Sequence, residues 1–402
     1  MPRNAVELIK SFSGKNSEIF EPFFSFSNES RIKDVEIFAV GMNAASARYS
    51  SKWEIWKHTN IILRLKTNDG FEGVSGVTSN HEQEFSQKLL FELQNVITDL
   101  LELNTLDPLE AGIKLEKIHP QLSDAALSSI DIALWDLAAR KAKLPLFKML
   151  GGEEDSIEAY ASLPFYDSLD EYINAINEYA SYGYKIFKFH VWGLIEKDIQ
   201  LVRLINETFS SSSYNFMIDL EGEYNYEEAL KLGEELDKNL FIWLEAPIND
   251  KLLTEYSVLK KKLNVPILPD GYSIYSSEFI KNGIEKNSWS AGRFDATIIG
   301  GITKALNLLI IANNADLPIE IQSWGYTLTQ AANLHLMLAN PRTRFFENPM
   351  PCNAYEFGIK GDNLVKQGRA TAPKKDGIGI VVDWDILESA DFYNEVSRQV
   401  NE

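Results

Sequence analysis

Three short apolar runs between Asn215 and Gly271 each end on an acid: Phe216-Met-Ile-Asp219, Phe241-Ile-Trp-Leu-Glu245 and Val265-Pro-Ile-Leu-Pro-Asp270. The segments between them, Glu227 to Leu236 and Leu252 to Leu263, have helical composition. A strand buried on both faces of a parallel sheet reads as a continuous apolar run, and the connecting loop begins at its C-terminal end. An acid placed there faces a shared rim instead of the core. Taken singly, each acid could cap the helix that follows it. As a triplet 26 and 25 residues apart, the three converge on one point, as the oxygen ligands of a hard divalent cation must.

The same rhythm extends in both directions. Strand-end polar residues fall at Lys188, Asp219, Glu245, Asp270, Asp295, Gln322 and Glu347, at intervals of 31, 26, 25, 25, 27 and 25 residues. Strand–helix units with polar residues at the strand C-termini predict a TIM-type barrel over residues 151–350. A doubly wound open sheet is the rival, and seven or eight units at one spacing favour closure.

The first part, residues 1–150, reads differently. Lys33 to Val40, Asn60 to Lys66 and Phe71 to Val77 predict an antiparallel meander, with a hairpin turn at Asn68-Asp69-Gly70. Ala44 to Trp56 is small, polar and aromatic, and reads as a loop. Helices are expected over Glu82 to Leu103, Pro108 to Lys117 and Asp124 to Lys143, the last with an apolar face carrying Leu127, Ile130, Leu134 and Leu137. Residues 1 to about 30, rich in Ser and Phe, receive no role. Beyond Pro349 the chain is Gly-rich, and residues 351–402, with Val381-Val-Asp-Trp-Asp, are expected to pack back on the first part. The fold class is therefore α/β, an α+β first part joined to a barrel.

Composition narrows the partners. A net charge of −19 argues against nucleic acid, which needs a basic footprint. Cys352 is the single cysteine, so no internal disulfide framework exists. No run reaches the roughly 20 apolar residues that span a bilayer, and Met-Pro-Arg-Asn-Ala-Val-Glu lacks the apolar core of a secretion signal. A cytoplasmic chain with no membrane partner is expected.

Several segments carry a resemblance: Thr67-Asn-Asp-Gly-Phe-Glu-Gly73, Ser129-Ile-Asp-Ile-Ala-Leu-Trp-Asp-Leu-Ala138, Lys188-Phe-His190, Glu245-Ala-Pro247, Ile299-Gly-Gly-Ile-Thr303, Asn333-Leu-His335 and Asp376-Gly-Ile-Gly-Ile380. In order and spacing they resemble the mandelate racemase/muconate lactonizing branch of the enolase superfamily. The resemblance implies a modified (β/α)7β barrel under an N-terminal α+β capping domain. It also implies abstraction of the proton α to a carboxylate, with Mg²⁺ stabilising the enediolate. One Mg²⁺ per subunit would sit on Asp219, Glu245 and Asp270; the last is followed by Gly271, so Asp270 must be the ligand. A homo-oligomer is implied as well.

Lys188 and His190 lie two apart on one strand and point to one face. The family pattern there is Lys-x-Lys with the second lysine as base. Both residues are therefore expected to be catalytic, His190 as the base and Lys188 holding the substrate carboxylate or tuning the base's pKa. The plainer reading is a lysine paired with the acidic rim and a packed histidine. Asp295 matches an aspartate that in racemases and many acid-sugar dehydratases orients a histidine, yet that histidine position reads Gln322. An amide shuttles no proton, so a two-base arrangement is absent, and Asp295 is expected to hydrogen-bond Gln322 or to remain structural. Glu347 matches an acid that hydrogen-bonds the substrate carboxylate. Glu221 and Trp324 are expected at the pocket, while His335 reads as a core histidine and His58, His81 and His119 carry no signal. These expectations add up to a Mg²⁺-dependent dehydratase that turns a sugar acid into a 2-keto-3-deoxy acid. An epimerase, a cycloisomerase or a catalytically silent metal-holding relative are the alternatives.

Overall fold

A computed structural model of the chain describes residues 30–52, 54–79, 83–237, 241–271, 276–361 and 363–399. The Ser/Phe-rich opening, His81 and Glu82 lie outside the described residues. Strands β1 (Ile32–Ala47), β2 (Trp56–Thr67) and β3 (Glu72–Ser79) form the expected antiparallel meander. Its hairpin closes where Thr67 N–H donates to Phe71 O at 2.9 Å and Gly70 takes φ of 87°, a conformation glycine adopts without steric cost. The end of the chain completes this sheet: the strand Phe392–Gln399 runs antiparallel along β1, with Val35 opposite Arg398 and Val40 opposite Tyr393. Trp384 packs on Phe38 at 5.3 Å between ring centroids, and the Arg64 guanidinium lies 4.0 Å over its ring.

Two expectations shift here. The stretch 44–56 is only half a loop, because β1 passes an irregularity after Gly41 and then pairs again, Ser46 opposite Lys57 and Ala47 opposite Trp56. The helix expected over 82–103 breaks at Val96 into Gln83–Asn95 and Ile97–Leu101.

The helix Asp124–Ala142, capped by Ser123 Oγ accepting from Ala126 N–H at 3.2 Å, has two packed sides instead of one apolar stripe. One lies so close on β3 that a Cβ added at Gly73 would stand 2.0 Å from the Ala133 carbonyl oxygen. The buried Asp136 carboxylate accepts from Val74 N–H at 2.8 Å and Ile378 N–H at 2.7 Å, tying strand, helix and tail together. The other side meets the barrel, where Asp131 accepts from Thr303 N–H at 3.1 Å and Trp135 Nε1–H donates to Thr303 Oγ1 at 3.0 Å.

The barrel strands are β4 (Ser156–Leu163), β5 (Ile186–His190), β6 (Asn215–Asp219), β7 (Phe241–Glu245), β8 (Ile267–Leu268), β9 (Gly292–Phe294), β10 (Ile319–Ile321) and β11 (Phe345–Pro349). β4 to β8 pair in sequence, β9 pairs with β10, and β11 returns to pair with β4, all in parallel. A helix follows each of the first seven, which is a (β/α)7β barrel. β8 and β9 are shorter than the runs Val265–Asp270 and Arg293–Ile299 suggested. Pro266 and Pro269 have no N–H to give to a ladder, and after Phe294 the chain leaves the strand for a turn. Side chains close the gaps. Ser290 Oγ accepts from Ile267 N–H at 3.0 Å, and Ser323 Oγ accepts from Glu347 N–H at 3.0 Å while donating to Glu347 O at 2.8 Å. No helix among the described residues is long and apolar enough to cross a membrane.

His335, in the helix Thr327–Ala339, joins three parts of the molecule. Its Nδ1 accepts from Phe147 N–H at 3.0 Å, so Nε2 carries the hydrogen it donates to Ile378 O at 3.1 Å. Burial pushes its pKa down to about 4, against a weaker upward pull from the Ile378 carbonyl. Between pH 6.5 and 4 the unfolded chain binds a proton here that the folded chain does not, so stability from this residue is complete above 6.5 and declines as pH falls. Replacing His335 by Leu strands Phe147 N–H and Ile378 O and should cost about 2–4 kcal/mol at neutral pH. In thermal melts the gap between wild type and His335→Leu should narrow from pH 7 to pH 4. A constant gap would contradict the assignment.

Candidate active site at the strand ends

Lys188 stands at the centre of the barrel mouth, 1% exposed. Its ammonium donates to Asp219 Oδ2 at 3.0 Å and to both Glu245 oxygens at 3.2 Å, and lies 2.8 Å from Glu347 Oε1. Burial alone would discharge it; Glu245 and Glu347, then Asp219, outweigh that and raise its pKa well above the ordinary lysine value.

A second buried cation, Arg293 on β9, was not singled out from the sequence. Its Nη2–H donates to Glu347 Oε2 at 2.6 Å and to the Tyr160 hydroxyl at 3.2 Å. Its Nε lies 2.7 Å from Glu245 Oε1, an ion contact in which the N–H is not aimed at the oxygen. Glu245 also accepts from Trp243 Nε1–H at 3.2 Å and is wholly buried beneath the pocket. Burial pushes its carboxyl up to about 8, opposed by Arg293 and abetted by Asp219. Glu347 is held down instead, because Lys188 and Arg293 outweigh its burial. Its oxygens are taken by Lys188, Arg293 and Ser162 Oγ–H at 2.8 Å. In this state it braces the two cations.

His190 lies in register with Asp219, and Asp219 with Glu245, across adjacent strands. His190 Nδ1 is 2.6 Å from Leu163 O, which only accepts, so Nδ1 carries the hydrogen and Nε2 holds the lone pair of the neutral ring. Nε2 faces Glu221 Oε1 at 3.2 Å and Asp219 Oδ2 at 3.6 Å. Burial lowers the imidazole pKa, but these two acids lift it to about 10. Asp219 Oδ1 accepts from Glu221 N–H at 3.0 Å, an arrangement that puts Glu221 at φ of 52°.

Asp270 lies two residues beyond β8. Its pKa is raised well above the carboxylate range by burial and by Asp250, Glu221, Asp219 and Glu245, and it has no ion pair among the described residues. Asp250, also missed in the sequence, holds this loop by accepting from Asp270 N–H at 3.2 Å and from the Tyr256 hydroxyl at 2.7 Å. Six acids thus crowd around Lys188, Arg293 and His190. That surplus of carboxylate oxygen suits a hard divalent cation. The expected triplet does not close on itself, however. Among the described residues, the group whose ligand atoms all lie within 4.8 Å of one another is His190, Asp219 and Glu221. Glu245 is drawn beneath the pocket by Lys188 and Arg293.

Lys188, His190, Asp219, Glu221, Asp270, Gln322, Trp324 and Glu347 line one cavity. Its outer wall is aromatic: Tyr49, Trp56 and His58 from the cap meet Trp324 from the loop after β10. Trp324 lies 4.4 Å from the His58 ring and 5.5 Å, edge-on, from Tyr49. His58 therefore contributes where none was foreseen. Asp295 is not among the lining residues and does not bond Gln322. Its Oδ1 accepts from Thr297 N–H at 2.7 Å and Asn333 Nδ2–H at 2.7 Å, pinning the turn after β9. Gln322 is 5% exposed, and its Oε1 has no hydrogen-bond partner among the described residues.

Arg293 offers a direct check on this electrostatic frame. Arg293→Met leaves Glu245 and Glu347 short of a buried counter-charge and should cost about 3–5 kcal/mol in urea unfolding. Arg293→Lys should recover only part of that, because an ammonium cannot span both acids as the planar guanidinium does. Equal stability of wild type and Arg293→Met would refute this frame.

Residues 34–151 match the family described as mandelate racemase/muconate lactonizing enzyme, N-terminal domain, and residues 171–386 match the family described as enolase C-terminal domain-like. A structure from Pseudovibrio sp., assigned to the mandelate racemase/muconate lactonizing enzyme group, is 33% identical with a TM-score of 0.88, covering 92% of this chain and 100% of that one. The o-succinylbenzoate synthase of Listeria innocua is 25% identical over 81% of this chain and 87% of its own length. The L-talarate/galactarate dehydratase of Salmonella typhimurium LT2, liganded with Mg and L-lyxarohydroxamate, shares the fold at 20% identity and a TM-score of 0.83, covering 96% of this chain and 100% of that chain. Other relatives at 23–27% identity include sugar-acid dehydratases, an epimerase and cycloisomerases. The chain belongs to the mandelate racemase/muconate lactonizing enzyme branch of the enolase superfamily.

Proposed function

We propose that the chain is a Mg²⁺-dependent hydro-lyase that dehydrates a hydroxy acid of the sugar-acid type to a 2-keto-3-deoxy acid. Asp219, Glu245 and Asp270 would hold the ion, which when bound supplies positive charge for the carboxylate and the enediolate. The observation that carries the reading is the one-sided set of proton-transfer groups. His190 has Nδ1–H fixed on the Leu163 carbonyl, so Nε2 is the atom that would exchange a proton, with charged Lys188 two residues away on the same face. Asp219 and Glu221 hold the ring protonated here, and a cation bound at Asp219 would relieve that hold and free Nε2 to act as base. Across the cavity stands Gln322, whose amide neither takes nor gives a proton at neutral pH.

His190 would take the α-proton, breaking the C–H bond. Lys188 would stabilise the charge that develops on the carboxylate oxygens. The β C–O bond would then break, and the hydroxide would leave as water with the proton returned from His190, on the face from which it came. The resulting enol tautomerises to the keto acid. Epimerisation needs a second base on the opposite face and is disfavoured by Gln322. Cycloisomerisation is the second reading, because one base on one face suffices for it. Dehydratases among the relatives, one of them liganded with Mg, support the hydro-lyase over the cycloisomerase. A cytoplasmic homo-oligomer acting on a small carboxylate completes the proposal.

With Mg²⁺ and a panel of hydroxy acids, the enzyme should form keto acid and wash deuterium from D₂O into the α-position of recovered substrate. EDTA should abolish both, and His190→Asn should slow turnover about 10²- to 10⁴-fold. Undiminished turnover in both His190→Asn and Lys188→Ala would remove this site from the chemistry; α-exchange without keto acid would exclude the dehydratase.

A further inference from the structure

Two acids share the buried cations at the barrel mouth, and they are held differently. Glu347 is gripped: Arg293 Nη2–H reaches it at 2.6 Å, Ser162 Oγ–H at 2.8 Å and the Lys188 ammonium at 2.8 Å. Glu245 has no contact of that quality. Both bonds from Lys188 and the one from Trp243 Nε1–H are 3.2 Å long, against about 2.7–2.9 Å for a well-made charged pair. Its shortest contact, 2.7 Å to Arg293 Nε, is an ion pair without a hydrogen bond, because that buried N–H donates to no acceptor among the described residues.

The arginine does not depend on this contact for its place. Nη2 is fixed by Glu347 and, at 3.2 Å, by the Tyr160 hydroxyl. Glu245 is also set apart from the other two acids proposed to hold the ion. Asp219 and Asp270 line the cavity, whereas Glu245 is wholly buried and does not. To act as a ligand, Glu245 has to give up Arg293 for another positive charge. Separating a buried carboxylate from its counter-charge is unfavourable, and a guanidinium left close to a divalent cation repels it. Both effects lower the affinity for the ion.

We propose that Arg293 is a positioning residue for the metal ligand Glu245: anchored on Glu347 and Tyr160, it serves as a releasable counter-charge and keeps the affinity for Mg²⁺ low. This rests on the reading of Asp219, Glu245 and Asp270 as the ligands. The arrangement lets the acidic mouth fold without the ion. An arginine with a purely structural role implies the reverse, since its loss would loosen the frame around the ligands and weaken ion binding.

The test is calorimetric titration of the intact, EDTA-treated protein with Mn²⁺, alongside thermal melts at the same Mn²⁺ concentrations, for wild type, Arg293→Gln and Arg293→Lys. Arg293→Gln should bind Mn²⁺ at least about tenfold tighter than wild type. Saturating Mn²⁺ should also raise its melting temperature by more than it raises that of wild type. Arg293→Lys keeps the charge but holds Glu245 less well, and should fall between the two. Unchanged or weaker binding by Arg293→Gln overturns the inference while leaving the ion site standing. If Arg293→Gln does not fold even in Mn²⁺, Arg293→Lys decides: affinity above wild type supports the inference, and affinity at or below wild type overturns it. If no form of the protein binds Mn²⁺, the ion site itself is refuted and the inference falls with it.

Discussion

Lys188 and Arg293 are two buried cations among carboxylates that cannot share one space without them. Lys188 touches Asp219, Glu245 and Glu347, and Arg293 spans Glu245 and Glu347, so acids on three strands are joined through two side chains. Like charges at these distances would otherwise push one another toward protonation. The barrel can therefore carry a dense acidic mouth because its centre is positive. What remains uncompensated among the described residues lies toward the cavity, at Asp270, where burial and repulsion from Asp250, Glu221, Asp219 and Glu245 hold the carboxyl above its ordinary range. That residual charge is what a divalent cation would neutralise.

Much of this was legible because strand ends in a parallel barrel leave a periodic trace. Lys188, Asp219 and Glu245 close apolar runs, and their spacing gave both the barrel and the rim before any contact was known. Asp270 was found by the same logic although β8 is only Ile267–Leu268, since position in the unit survives even when the ladder does not. The logic failed at Asp295, where the chain leaves β9 a residue early and the acid turns to serve Thr297 and Asn333. It also missed Arg293, which begins its apolar run instead of ending it. A charged residue inside a strand otherwise buried on both faces was the available signal, because it must find partners in the barrel interior.

The aromatic wall was harder to read. Trp324 follows a strand end and was expected at the pocket, but Tyr49, Trp56 and His58 come from another part of the chain, where no period assigns a direction. Their stretch reads as a loop from the sequence, whereas β1 runs into it and pairs with β2 again at Ser46 and Ala47. Spacing within one element exposes a catalytic floor; the surface that closes over it is made by tertiary docking of cap on barrel. This division accords with relatives that share the fold and carry different activities in their names.

The central claim is that acids from three successive strands hold the ion. The most direct measurement is anomalous diffraction from crystals of the enzyme grown with Mn²⁺ in place of Mg²⁺. The account predicts one peak coordinated by Asp219, Glu245 and Asp270, with Glu245 shifted from its contacts to Lys188. A peak bound instead by His190, Asp219 and Glu221, with Glu245 still paired to Lys188 and Arg293, would contradict it and take His190 out of the role of base.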